Sequence, residues 1–149
     1  MIENIEMIDI SKKEPIVRTA SAIGKIFIKE TTLQKIVNKE IKKGDPLVVA
    51  EIAAINAVKD TPRIIPLCHQ IPISTVKTTF NINKNSITAK VMVKTVAKTG
   101  VEMEAIVGVT TALATIWDMV KYLEKDENGQ YLDTRITDVC VIEKTKSRV

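Results

Sequence analysis

The chain has 149 residues, of which 45% are hydrophobic and 3% aromatic, and its formal net charge is +4 at pH 7. This length and apolar content predict one compact domain with its own hydrophobic core. The positive charge favours anionic partners, but the few aromatic residues do not interleave with the basic ones and no recognised nucleic-acid motif occurs, which argues against nucleic acid as the partner.

The first third of the chain predicts a strand followed by two helices. Alternating apolar residues over 17–28 indicate the strand. The first helix is capped by Thr31 or Thr32 and ends at Lys42-Lys43-Gly44, and the second begins with Asp45 as N-cap and Pro46 at its first position. Aliphatic residues form the expected core-facing stripes of the two helices: Leu33, Ile36, Val37 and Ile41, and then Val48, Val49, Ile52, Ile55 and Ala57.

A proline-framed turn then presents the only histidine of the chain. Pro66 and Pro72 bracket the run Leu67-Cys68-His69-Gln70, and because proline cannot continue a helix or a central strand, the turn is rigid. A rigid turn can hold one imidazole in place for chemistry. Alternatively, His69 is a half-buried residue whose ring forms a hydrogen bond with a carbonyl group.

The rest of the chain predicts a hairpin, a long helix and a last strand. Alternation over 76–82 and 87–93, around the turn Asn83-Lys84-Asn85, indicates a β-hairpin. Residues 102–124 carry apolar side chains at intervals of three or four, and 134–143 can form a strand. The order β, α, α, β, β, α, β predicts an α+β fold, a ferredoxin-like antiparallel sheet with helices packed on one face.

Polar residues on the long helix are candidate site residues. Glu102 and Glu104 are two positions apart, and the start of a helix, just after Gly100, is where irregular geometry lets both serve one site. Asp118 and Lys121 are three positions apart and can pair on the helix surface. Each set also has an ordinary interpretation, because carboxylates stabilise helix N-termini and exposed ion pairs are common.

The cysteines and the termini indicate where the protein is found. Cys68 and Cys140 are far apart and have no second Cys or His at metal-ligand spacing, which predicts reduced thiols and no metal site. The N-terminus lacks the basic and apolar regions of a signal peptide, and no apolar run approaches the about 20 residues of a membrane span. We therefore expect a cytoplasmic protein with no membrane partner, a single domain over 1–149 with an N-terminal arm (1–16) and a basic C-terminal tail (145–149).

Six motifs occur together in the order and spacing of one protein family. They are Met7-Ile8-Asp9-Ile10-Ser11, Arg18, Lys42-Lys43-Gly44-Asp45, Pro66-Leu67-Cys68-His69, Lys98-Thr99-Gly100-Val101-Glu102-Met103-Glu104-Ala105, and Thr115-Ile116-Trp117-Asp118-Met119-Val120-Lys121. Over about residues 7–144, the chain resembles the molybdenum cofactor biosynthesis protein C (MoaC) family, the cyclic pyranopterin monophosphate synthases. The Gly-Val-Glu-Met-Glu-Ala segment and the Leu-Cys-His turn make this resemblance specific.

The resemblance implies a phosphorus-oxygen lyase of molybdenum cofactor biosynthesis. Its substrate would be (8S)-3',8-cyclo-7,8-dihydroguanosine 5'-triphosphate, a cyclised GTP derivative, and its products cyclic pyranopterin monophosphate and pyrophosphate, with no metal and no organic cofactor. The resemblance also implies a ferredoxin-like subunit in a trimer of dimers, with each active site at a dimer interface.

The resemblance also assigns roles to residues of this sequence. Lys43 and Lys121 would act as general acid and base, and Asp118 would orient Lys121. Substrate binding would fall to residues that can contact phosphates or the pterin edge, namely Arg18, Cys68, His69, Lys98, Glu102, Met103, Glu104 and Lys144.

Three features depart from the family pattern. Gln70 stands where a proline usually follows the histidine, and Trp117 stands where a tyrosine is common. The glycine-rich segment that often follows Lys144 in the family is absent.

Two other functions remain open on the sequence alone. A non-catalytic module that binds nucleotides or RNA would explain the charge and the fold. A metal hydrolase built on His69, Glu102 and Glu104 would need further imidazole ligands.

Overall fold

The protein is described by a computed structural model that covers residues 4–149. Four strands and three helices follow one another in the predicted order β, α, α, β, β, α, β. They are β1 (Ile16–Phe27), α1 (Glu30–Val37), α2 (Pro46–Ile64), β2 (Thr75–Ile82), β3 (Ser86–Ala97), α3 (Glu102–Glu124) and β4 (Arg135–Ser147). Asp45 caps α2 through its side chain and Pro46 starts it, as the sequence predicts.

The four strands form one antiparallel sheet in the order β2-β3-β1-β4. Ala22 lies opposite Val91 and Ala20 opposite Val93, and all four side chains are buried. Because alternate residues of a strand face the same side, this row of small and branched residues forms one apolar face of the sheet. The predicted α+β architecture is confirmed, and the strand order is that of a ferredoxin-like arrangement.

Two glycines bring the long helix α3 close to its neighbours. A Cβ atom at Gly108 would lie 2.8 Å from Val58 Cγ2 of α2 and 3.1 Å from Val91 Cγ1 of β3. A Cβ atom at Gly24 of β1 would lie 2.7 Å from Leu113 Cδ1 of α3. Helix α3 therefore packs directly on α2 and on the sheet, and it forms the centre of the core.

Helix α3 is also the one segment among residues 4–149 that is long and apolar enough to cross a membrane by length and composition. Half of its most apolar 18-residue window is buried inside the molecule. Since Val109, Leu113 and Ile116 are fully buried in the core, we interpret α3 as a core helix.

The predicted apolar stripe of α2 is wrong at three of its five positions, while Ala57 is buried and Ile55 half-buried as expected. Val48, Val49 and Ile52 are 53%, 38% and 55% exposed, whereas Ala50 and Ala54 are fully buried. The close approach of α3 at Gly108 explains the difference, because the alanines of α2 let the two helices pack closely and the larger Val48, Val49 and Ile52 lie on another face. Three large aliphatic residues are consequently left on the outer surface of α2.

The ends of two elements also differ from the prediction. Helix α1 ends at Val37, and Ile41, which the sequence placed in its stripe, is buried from the following loop. Strand β4 continues to Ser147, so Thr145 and Lys146 pair with Thr19 and Arg18 of β1 and do not form a free tail. The sequence signal was weak there because the strand carries mostly polar, exposed residues.

A buried carboxylate, Glu124, joins three segments at the C-terminal end of α3. It is 1% exposed and accepts hydrogen bonds from the backbone N–H of Lys29 at 3.1 Å, the Thr134 hydroxyl at 2.8 Å and the Thr32 hydroxyl. Lys29 is the N-cap position of α1 but makes no side-chain cap. Glu124 of α3 therefore supplies the hydrogen-bond acceptor at the N-terminus of α1 that the Lys29 side chain does not supply.

Candidate functional site

The predicted site residues lie at the two ends of the pair formed by α2 and α3. Cys68, just after α2, contacts Glu104 at the start of α3, and Lys43, just before α2, contacts Asp118 near the end of α3. The two helices are therefore antiparallel. We call Cys68, Glu102, Glu104 and Lys144 the carboxylate cluster, and Lys43, Asp118 and Lys121 the lysine-aspartate cluster.

Glu102 is held by a lysine from the edge strand of the sheet. Lys144 Nζ of β4 lies 2.7 Å from Glu102 Oε1. Burial raises the pKa of Glu102, but the hydrogen bond from Lys144 and the positive charges of Lys144 and Arg18 outweigh it, so the net pKa is lowered. Glu102 is thus an ionised carboxylate at neutral pH.

Glu104, two residues on, has the opposite environment. Its side chain is 1% exposed, the Cys68 thiol donates to its Oε2 at 3.7 Å, and its Oε1 forms no hydrogen bond with any described residue. Burial raises the pKa of Glu104, and the negative charge of Glu102 adds to the effect. Burial and the Glu104 carboxylate likewise raise the pKa of Cys68, which favours the thiol. One end of α3 therefore combines two carboxyl groups whose pKa values are shifted in opposite directions.

The pKa values of Glu102 and Glu104 are shifted in opposite directions, which predicts opposite effects of Gln substitution on the pH dependence of stability. The raised pKa of Glu104 means that the folded protein holds this proton more tightly than the unfolded chain does. Its stabilising contribution is present below the ordinary value of 4.5 and is lost as the pH rises through the folded pKa. We expect Glu104→Gln, which resembles the protonated form, to gain stability relative to the unsubstituted protein as the pH increases from 4 to 8.

Glu102→Gln is the matched control. The lowered pKa of Glu102 contributes stability above the ordinary value of 4.5, and this contribution is lost as the pH falls through the folded pKa. Glu102→Gln should therefore be less stable than the unsubstituted protein at neutral pH, with the difference shrinking in acid. Urea unfolding midpoints across this range test both variants, and identical pH profiles would contradict the assignment.

Arg18 and Lys98 support the segment that leads into α3. The buried Arg18 donates from Nε to the Ala97 carbonyl at 3.1 Å and from its terminal nitrogen to the Lys98 carbonyl at 3.3 Å. Lys98 Nζ donates to the Ser11 carbonyl at 3.2 Å. From the sequence, both side chains were expected to bind substrate phosphate. In the structure, both donate hydrogen bonds to backbone carbonyls.

His69 and Met103 lie at the same end of the helix pair. The half-buried His69 contacts the Ile8 carbonyl through Nε2 at 2.7 Å, which is the carbonyl hydrogen bond considered as an alternative from the sequence. Met103 is 37% exposed, so its side chain is available for contacts outside the core.

In the lysine-aspartate cluster, two ammonium groups share one carboxylate. Lys121 Nζ lies 3.1 Å from Asp118 Oδ1, and Lys43 Nζ lies 3.2 Å from Oδ2. Lys43 also donates to the Asp118 backbone carbonyl at 2.9 Å. The hydrogen bonds from Lys121 and Lys43 lower the pKa of Asp118. The three side chains are about half exposed, so this cluster is open to a ligand.

Tyr122 is a supporting residue that the sequence interpretation missed. Its hydroxyl accepts the backbone N–H of Lys42 at 3.0 Å, and the Lys42 ammonium lies 5.5 Å from the centre of its ring. These contacts hold the loop before α2 against α3 and place Lys43 beside Asp118. The position of Tyr122, next to Lys121 and four residues after Asp118, was the available signal.

The two clusters are far apart within one chain. Glu104 and Asp118 are 14 positions apart on α3, which corresponds to about 21 Å along the helix axis. Reacting atoms must approach catalytic groups to within about 3 to 3.5 Å. One reacting centre therefore cannot contact both clusters of the same chain.

The residues of the alternative metal hydrolase do not converge. Within residues 4–149, no three His, Cys, Asp or Glu side chains form a group that could hold a metal ion. His69, Glu102 and Glu104 consequently do not make the ligand set that this alternative requires.

Comparison with known proteins gives one consistent result. The model of the MoaC family matches residues 7–147. A probable cyclic pyranopterin monophosphate synthase of Methanococcoides burtonii is 52% identical over 143 residues, covering 96% of this chain and 90% of the relative. A protein of the same name from Aeropyrum pernix is 52% identical over 140 residues, covering 94% and 96%. A relative from Methanothermobacter thermautotrophicus, 49% identical over 144 residues with 97% and 91% covered, is named a probable accessory protein of this synthase.

Proposed function

The chain belongs to the MoaC family, and we propose that it is the lyase that converts (8S)-3',8-cyclo-7,8-dihydroguanosine 5'-triphosphate to cyclic pyranopterin monophosphate and pyrophosphate. The names of its relatives support a role in molybdenum cofactor biosynthesis. The observation that carries the proposed chemistry is the contact of Lys43 and Lys121 with the two oxygens of Asp118.

The reaction requires proton transfers that this cluster can perform. A hydroxyl group attacks the α-phosphorus and loses its proton, the bond to the β-phosphate breaks, and pyrophosphate leaves with the negative charge of that bond. Rearrangement of the rings moves further protons among carbon, nitrogen and oxygen. We assign the general acid and base roles to Lys43 and Lys121, because an ammonium donates a proton and its amine form accepts one. Asp118 holds both nitrogens in place and balances their charge.

The carboxylate cluster suits the other parts of the substrate. The ionised Glu102 can accept N–H groups from the guanidine-like edge of the pterin, and Lys144 beside it can contact phosphate. Glu104, with one free oxygen, can bind at the same edge. We assign His69 and Lys98 to orienting the phosphates, and the exposed Met103 can pack on the rings.

We further propose that the protein is a trimer of dimers in which a second copy completes each site. The separation of about 21 Å between the two clusters supports a shared site. The exposed Val48, Val49 and Ile52 on α2 provide an apolar surface for another subunit. A two-fold axis near the middle of α2 would place the carboxylate cluster of one subunit beside the lysine-aspartate cluster of the other, since an isologous contact pairs opposite ends of a helix.

Pyrophosphate release from the purified cyclised nucleotide tests the reaction. Turnover that continues in the presence of a chelator supports the lyase. Turnover abolished by the chelator would favour a metal-dependent enzyme, and binding without turnover would favour a non-catalytic module.

Complementation between inactive variants tests the shared site. We expect co-expressed Glu102→Ala and Lys121→Ala subunits, carrying different tags, to recover about a quarter of the activity of the unsubstituted protein. Half of randomly formed dimers are mixed, and each mixed dimer has one site free of both substitutions. Activity is measured on oligomers purified through both tags in succession and on the total pool.

Lys43→Ala with Lys121→Ala is the matched control pair. Both lysines contact Asp118 of their own chain, so every variant chain lacks one lysine of its lysine-aspartate cluster. Because both belong to one cluster, no dimer then contains an intact cluster, and no recovery is expected. Equal recovery in the two pairs, or none in the first, would contradict the shared site.

A further inference from the structure

The N-terminal arm joins two of the site residues through its backbone. The carbonyl of Ile8 lies 2.7 Å from His69 Nε2, and the carbonyl of Ser11 accepts the Lys98 ammonium at 3.2 Å. His69 follows α2 and Lys98 follows β3, so these side chains come from different parts of the fold. Both of these contacts come from the motif Met7-Ile8-Asp9-Ile10-Ser11, to which the proposed reaction assigns no role.

Asp9 shapes the arm between the two carbonyls. Its Oδ1 accepts the backbone N–H of Ser11 at 2.8 Å, and the turn continues with a hydrogen bond from Lys13 N–H to the Ile10 carbonyl at 3.0 Å. A side-chain oxygen that accepts the N–H two residues on forms an Asx turn, which fixes the local direction of the chain. The hydrogen bonds from Ser11 lower the pKa of Asp9, with smaller contributions from the charges of His69 and Lys98.

We propose that Asp9 is a positioning residue for substrate binding, which acts through its turn by directing the Ile8 carbonyl to His69 and the Ser11 carbonyl to Lys98. The inference rests on the proposed function, because it assumes that these two side chains contact the substrate. When Nε2–H of a neutral imidazole donates to a carbonyl, Nδ1 is the unprotonated nitrogen. The arm therefore selects which ring nitrogen His69 presents to a ligand.

The single histidine makes the orientation of this ring measurable without turnover. In substrate-free protein near pH 8, two-dimensional spectra of the ring 15N nuclei should show the Nε2–H tautomer of His69. Asp9→Ala is expected to give averaged 15N shifts from a mixture of tautomers. Asp9→Asn keeps an oxygen for the Asx turn and should retain the spectrum of the unsubstituted protein. Lys12→Ala, an exposed substitution in the same arm, is the control.

Kinetics provide the second readout. Asp9→Ala should raise KM for the cyclised nucleotide about three- to tenfold and leave kcat within twofold, because the loss affects binding and not proton transfer. Asp9→Asn should have an unchanged KM. A retained Nε2–H tautomer in Asp9→Ala, an unchanged KM, or equal impairment of Asp9→Asn would each overturn the proposal. If the protein does not turn over this substrate, the proposed function fails, and the spectra still decide whether Asp9 orients His69.

Discussion

Lys121→Ala is expected to lower kcat for pyrophosphate release about 10²- to 10⁴-fold, the usual contribution of a positioned acid or base. The KM of the substrate should change little, because the proposed binding residues belong to the carboxylate cluster and Lys121 is assigned to proton transfer. The fold should also be unaffected, since the ion pair with Asp118 is exposed and exposed ion pairs contribute little to stability. Steady-state kinetics and thermal unfolding of the same sample separate these effects.

Lys121→Arg distinguishes proton transfer from simple charge. Arginine can keep the ion pair with Asp118 but does not release its proton near neutral pH. We therefore expect Lys121→Arg to be impaired nearly as much as Lys121→Ala. Lys125→Ala, at the exposed C-cap of α3, is the control and should have unchanged kinetics. Activity of Lys121→Arg close to that of the unsubstituted protein would show that Lys121 acts as a fixed positive charge.

Local patterns were sufficient to predict the elements of the fold. The alternation of Val91 and Val93 in β3, and the intervals between Val109, Leu113 and Ile116 in α3, follow the periods of a strand and a helix, and the structure confirms both. The orientation of α2 could not be found in this way. Ala50, Ala54, Ala57 and Thr61 recur at helical intervals, but so do the larger aliphatic residues beside them. The choice between the two stripes depends on Gly108 of another helix, which lets α3 approach the small residues.

Contacts within one helix of the site were predictable from the sequence, and contacts between distant residues were not. The Asp118–Lys121 contact follows from a spacing of three on a helix. The contact of Lys43 with Asp118 joins residues 75 positions apart, and the resemblance to a family indicated only that both residues take part in one reaction. The burial of Glu104 was also hidden, because an isolated glutamate at a helix start is ordinarily exposed. The distance between the clusters, in contrast, follows directly from the length of α3.

Glu124→Ala is expected to lower the free energy of unfolding by about 3 to 5 kcal/mol. The substitution leaves the Lys29 N–H and the hydroxyls of Thr32 and Thr134 without their acceptor, and an unsatisfied buried group costs about 1 to 3 kcal/mol. Glu124→Gln retains one carbonyl oxygen as an acceptor and should cost less. Urea unfolding measures both variants, with Glu127→Ala, at an exposed position just beyond α3, as the control.

Removing the donors left without an acceptor should cost less stability in the Glu124→Ala protein than in the unsubstituted protein. Replacing a hydrogen-bonded pair by apolar groups of similar shape can be nearly neutral, so Thr32→Val and Thr134→Val should each destabilise less in the Glu124→Ala background than alone. The backbone N–H of Lys29 cannot be removed in this way, and the first turn of α1 should therefore exchange its amide hydrogens faster in every Glu124→Ala variant. A loss below about 1 kcal/mol with unchanged exchange would contradict a structural role for Glu124, because it would mean that α1 begins equally well without a cap from α3.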